Sequence, residues 1–143
     1  MNTIALRFGE HFAPSCGTIV AHQEIIDKMG YVWYGKMGNR ISESAIKSIM
    51  TEGVHKILLI RSGQAERYWA MVKDVKYEIS DIVAIPDYYR NERDKFHTWF
   101  KVVEFSEAPK DIMSKCIVTS SGQPLGNVSK HSMSPYFKIS CDE

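Results

Sequence analysis

The run Ile57-Leu58-Leu59-Ile60 constrains this chain more than any other feature. Side chains alternate across a strand, so four consecutive apolar residues demand a strand covered on both faces. Arg61-Ser62-Gly63-Gln64 breaks the run with turn residues. Tyr68 to Tyr77 resumes as a second strand. Simple alternation puts Trp69, Met71, Val75 and Tyr77 on one face, and Tyr68, Ala70 and Val72 on the other. The two strands make a central hairpin with the pair Tyr68-Trp69 just beyond its turn. That arrangement suits a sheet core with a pocket at its rim.

The chain has 143 residues, about one domain, and 44% apolar residues supply one proper core. Eighteen basic and 17 acidic side chains leave a formal charge of +1, so any polyanion contact must come from a local patch. No apolar run approaches the roughly 18 residues that cross a membrane. The first residues, MNTIALRFGEHF, lack the basic region and long apolar stretch of a signal peptide. Cys16, Cys116 and Cys141 are far apart, odd in number and outside CxxC spacing. They read as reduced thiols of a cytoplasmic protein, with no structural zinc site.

Thr3 to Phe8 alternates like a strand. From Thr18 to Met29 the spacing becomes helical, with Ile19, His22, Ile26 and Met29 on one stripe. Thr18 can cap this helix and Gly30 stands where a left-handed stop belongs. Tyr31 to Tyr34 is a short aromatic strand, ended by the glycine-rich 35–39. Ser42 is placed to cap a second helix, with Ile41 and Ile46 at hydrophobic-staple spacing. Residues 78–97 are polar around Pro86 and predict a surface excursion with about one helical turn. Thr98 to Phe105 is a strand, a short helix starts at Pro109, and Cys116 to Thr119 is a strand. A serine-rich segment, Val128 to Tyr136, leads to a last strand, Phe137 to Ile139. The two main helices come early, strands dominate the second half, and no βαβ alternation runs through the chain. The fold class is α+β, one domain over residues 1–143, with a curved or barrel-like mixed sheet and flanking helices.

Catalytic signatures such as GxSxG, the Walker loop and HExxH are missing. None of the five histidines pairs with another at metal-ligand spacing, so no metal and no cofactor are expected. His22, on the apolar stripe of a helix, reads as a core or boundary histidine. The aromatic residues are more informative. Trp33, Trp69 and Trp99 each occupy a strand beside a second aromatic: Tyr34, Tyr68 and Phe100. They either fill the core or wall a slot that stacks a planar ring such as a nucleobase. Ser129, Ser132 and Ser134 either bond a base edge or phosphate, or make the turns of an irregular edge.

The order of these motifs resembles the PUA-like superfamily, most closely its EVE branch, and is similar also to YTH and ASCH domains. The residues that carry the resemblance are Val32-Trp33-Tyr34-Gly35, Arg61-Ser62-Gly63 and His131-Ser132-Met133-Ser134-Pro135, within residues 31–139. The resemblance implies a small β-barrel-like fold that binds nucleic acid, often by holding a modified or flipped base in an aromatic pocket. It assigns Trp33 to the cage, Ser62 and Gly63 to the turn beside it, and Ser132 and Ser134 to the late polar segment. Trp69 after the turn, the helix Thr18–Met29 and the near-neutral charge depart from the pattern.

The expected function is a non-catalytic module that holds a modified or flipped base of DNA or RNA. Its expected ligand contacts are Trp33, Tyr34, Gly35, Ser62, Gly63, Tyr68, Trp69, Trp99, Ser132 and Ser134. Trp33 and at least one of Trp69 or Trp99 are expected to line a concavity. Lys36, Arg40, Arg61, Arg67 and Lys130 are expected to gather on its side as a phosphate-binding patch. The alternatives are a small ASCH-like hydrolase acting on a modified nucleoside, or a peptide-binding module. The hydrolase is the weaker, because Lys101 and Glu104, three apart on a strand, face opposite sides.

Overall fold

A computed structural model describes residues 1–9, 13–51, 53–61 and 66–141. The elements run β1 (Asn2–Phe8), α1 (Thr18–Met29), β2 (Val32–Met37), α2 (Glu43–Met50), β3 (Lys56–Arg61) and β4 (Arg67–Lys76). A 3-10 helix (Asp87–Lys95) follows, then β5 (Phe96–Glu107), α3 (Ile112–Lys115), β6 (Cys116–Val118), α4 (Leu125–His131) and β7 (Tyr136–Cys141). The strands form one seven-stranded sheet in the order β2-β5-β4-β3-β1-β7-β6, curved but not closed. β1 runs parallel to β3 and the other pairs are antiparallel, so the sheet is mixed and the fold is α+β.

The apolar run of the hairpin lies in β3, the middle strand. Ile57 and Leu59 enter one core with Ile4, Leu6, Val72 and Val102, under Ile19, Ile25 and Ile26 of α1 and Ile46 and Met50 of α2. Leu58 and Ile60 enter a second core on the other face, with Trp69, Ile112, Met113 and Leu125 under α3 and α4. Side-chain alternation thus buries all four residues, each fully. Along β4 the simple alternation fails. Register shifts at Met71/Val72 and Val72/Asp74 invert the later side chains. Val75 therefore packs with Tyr68 and Val72, not with Trp69.

Helix α1 begins one residue after its cap: Gly17, not Thr18, is the capping residue. Gly30 ends it in the left-handed conformation, with φ of 86°, as its position predicts. Ser42 caps α2 by accepting from the Ala45 N–H, and Ile41 before it is fully buried. The serine-rich segment differs from expectation: residues 125–131 form α4, with Leu125 and Ser129 turned inward. The excursion after β4 contains nine residues of 3-10 helix. It lies along the free edge of β2, where the Trp33 N–H donates to the Ala84 carbonyl (2.8 Å).

The expectation of three reduced thiols is corrected. β6 and β7 pair with Cys116 directly opposite Cys141, and the two are joined as a disulfide. Sequence separation hid this, because only the pairing of the two strands brings the residues together. The cysteines therefore no longer argue for a reducing compartment. Cys16 is free and exposed. Among the described residues no helix is long and apolar enough to cross a membrane, and no cluster of metal-binding side chains occurs.

Candidate functional site

Gly35 organises the end of β2. A Cβ there would stand 2.6 Å from Cδ1 of Phe96 and 2.9 Å from Cζ3 of Trp99, inside contact distance. Glycine lets the Phe96 ring lie against the strand. Phe96 then stacks on Tyr89 with ring centroids 4.4 Å apart, and on Trp99 at 5.0 Å. Trp33, Ala84 and Ile85 complete this aromatic cluster. In front of it, between β1, β2 and the 3-10 helix, a cavity of ≈ 270 Å³ opens to the surface. Its walls are Tyr34, Tyr88, Tyr89, Phe96 and Phe8, with Arg7, Lys36 and Glu92 as the charged groups among its lining. Ligand pockets of drug size run about 300–1,000 Å³, so this one suits a single planar ring.

The floor is a fixed hydrogen-bond network. His22 is fully buried and its Nδ1 stands 2.8 Å from the Thr18 carbonyl, so Nδ1 carries the proton. Nε2 is therefore the acceptor for the Tyr89 hydroxyl, 3.0 Å away. Burial pushes the His22 pKa down to about 4, opposed only in part by the Thr18 carbonyl, so the ring is neutral. The Tyr89 hydroxyl is held well above the usual tyrosine range, first by burial and then by Tyr34 and Tyr88 beside it. The His22 ring also packs against Tyr34 at 4.8 Å and edge-on to Tyr88 at 6.4 Å.

Lys36 is the buried cation of the site. Alternation along β2 puts its side chain on the same face as Val32 and Tyr34, and Nζ donates to the carbonyls of Asn39 (2.7 Å) and Met37 (3.2 Å). Burial lowers its pKa from the ordinary lysine value. Glu92 is ion-paired with Lys95.

Of the residues expected to touch a ligand, the cavity brings together Tyr34 and Gly35. The three indoles do not share a concavity. Trp33 and Trp99 are buried behind the Phe96 wall, and Trp69 lies on another face among Leu58, Ile60 and Leu125. Trp33 in β2 and Trp69 in β4 are separated by β5 in the strand order and lie in separate clusters. Tyr68 packs on Phe8 at 6.3 Å. Ser62 and Gly63 lie outside the described residues. Ser132 and Ser134 are occupied locally: Ser132 Oγ accepts from the Ser134 N–H, and Ser134 Oγ donates to the Tyr136 carbonyl (2.7 Å).

The five basic residues do not form one patch. Lys36 lines the cavity, Arg40 lines a second concavity, and Arg61 lines a third, ion-paired with Glu66 at 2.6 Å. Arg67 and Lys130 line none of these three. The cation that sequence reasoning missed is Arg7. It donates to the carbonyls of Ser129 (2.5 Å), Ser132 (2.6 Å) and Ser134 (3.0 Å), clamping the end of α4 and the loop after it to β1. An arginine inside the apolar strand TIALRF was the signal for it. The pair Tyr88-Tyr89 inside a polar segment was the signal for the cavity's outer wall.

A mixed open sheet, helices on both faces and an aromatic cavity at one sheet end define a small α+β domain. The chain belongs to the Pua-like family, whose model matches residues 4–135, nearly the whole length. No curated protein and no solved structure matches it.

Proposed function

We propose that this domain is a non-catalytic nucleic-acid-binding module that holds one flipped or modified base in the cavity beside Gly35. Pua-like domains commonly bind nucleic acids, which supports the ligand class. The observation that carries the reading is a cavity sized for one ring and walled by Tyr34, Tyr88, Phe96 and Phe8. Extruding a base costs a few kcal/mol, and stacking on aromatic side chains returns about 1–3 kcal/mol per base. Beyond its two carbonyl bonds Lys36 keeps one N–H, and beyond its pair with Lys95 the Glu92 carboxylate keeps acceptor capacity, one donor and one acceptor for the edge of a base. Of the contacts expected from the sequence, Tyr34 and Gly35 enter this reading directly. Trp33 and Trp99 enter it by backing the wall.

The test is a thermal-shift screen of modified nucleosides and short modified oligonucleotides, followed by Tyr88→Ala. Tyr88 is half-buried at the cavity wall. The variant is expected to stay folded, with a cooperative melting transition, and to lose at least about tenfold in affinity, the worth of one stacked ring. A variant that binds as well as the parent chain rules out this cavity as the base site.

A further inference from the structure

The second concavity shares Phe96 with the first, and both take lining residues from the 3-10 helix. It is larger, ≈ 670 Å³, and its character is different. Arg40, Arg90, Arg93 and His97 line it beside Tyr77, against the carboxylates Glu78 and Asp94. We propose that this concavity binds the phosphodiester flanking the base, so that the domain takes a single strand across both cavities. The proposal rests on the base reading for its register, but not for its chemistry.

Three arginines from two parts of the chain converge here: Arg40 from the loop before α2, Arg90 and Arg93 from the 3-10 helix. Arg40 is held in place without a carboxylate. Its guanidinium lies 4.4 Å from the centre of the Tyr77 ring, and the Tyr77 hydroxyl donates to the Ile41 carbonyl (2.8 Å). Among the described residues Arg40 shows no ion pair, and it is exposed at the lining of the concavity. Arg93 spends one nitrogen on the Ile79 carbonyl (2.7 Å), which anchors it. Arg90 pairs with Asp87 at 3.2 Å, but Asp87 is almost fully exposed, and such a pair is worth little. A phosphate can replace it, because guanidinium forks match phosphate oxygens in geometry. Glu78 and Asp94 reduce the net charge to that of one cation, which keeps binding moderate. They also supply acceptors for sugar hydroxyls.

The experiment measures binding of a short, fluorescently labelled, unmodified single strand, as DNA and as RNA, over a range of salt concentrations. Each phosphate contact in a single strand contributes about 0.7 to the slope of log affinity against log salt. The double variant R40Q/R90Q is expected to keep its melting temperature and to lose about 1.4 from that slope, with weaker binding at low salt. An unchanged slope overturns the proposal. So does the absence of any binding by the parent chain up to about 1 mM strand, above the usual nonspecific range of about 10⁻⁴–10⁻⁶ M. Tyr88→Ala separates the two readings. If it leaves all binding intact while R40Q/R90Q removes the slope, the base cavity is wrong and the phosphate site stands.

Discussion

Two residues beneath the cavity carry measurable consequences. His22 is buried neutral, with its pKa pushed down to about 4 from 6.5. Below pH 6.5 the unfolded chain binds a proton that the folded chain refuses, so stability falls as pH drops from about 6.5 towards 4. The loss approaches about 3 kcal/mol over that window, at up to about 1.4 kcal/mol per pH unit. Denaturant titrations at several pH values should show this slope, and His22→Gln should flatten it. Gly35 is constrained by space rather than by backbone angle. Gly35→Ala forces Phe96 and Trp99 apart, and overpacking of this kind costs about 1–3 kcal/mol. Equilibrium unfolding measures the cost, and an unchanged stability would mean that the two rings repack freely.

At the scale of elements, β1 and α4 depend on Arg7. Its three bonds to backbone carbonyls hold residues 129–134, which make no strand pairing of their own. Hydrogen bonds to a charged donor contribute about 1.5–3 kcal/mol each when intact, with losses far from additive. Arg7→Met keeps an unbranched apolar side chain and removes the donors, together with the guanidinium that lies 5.4 Å from the centre of the Phe137 ring. It is expected to destabilise the domain by about 2–4 kcal/mol and to speed amide exchange in 129–134. Equal exchange in both chains would show that the clamp is dispensable. The serine-rich stretch reads as an irregular edge because serine, asparagine and glycine are poor helix formers. It forms α4 because Leu125 and Val128 find the second core beneath them.

For the whole molecule, the disulfide joins the last strand to the far edge of the sheet. Cys116 and Cys141 close a loop with a sequence separation of 25. Restricting the unfolded chain over a loop of that length stabilises the fold by about 3 kcal/mol. Thiol titration of the denatured, unreduced protein should detect one reactive cysteine, Cys16. Prior reduction should expose three and lower stability by the amount given. Three thiols without reduction would show that the bridge does not form.

The strand β3, the helix α1 with its Gly30 stop, the Ser42 cap and the hairpin of the central strands were all legible in the chain. Each is set by local chemistry: apolar runs, periodicity, a capping oxygen, or a residue free to adopt positive φ. The Pua-like family was legible from motif order, and of the residues expected at a ligand Tyr34 and Gly35 line the cavity. The bulges of β4, the disulfide and the burial of the three tryptophans were decided only by tertiary structure. A bulge depends on the partner strand, a disulfide on which strands pair, and a tryptophan's role on what packs against its faces. The cavity itself arises where β1, β2 and the 3-10 helix meet, and those segments are brought together by the packed sheet and by nothing in their local sequence.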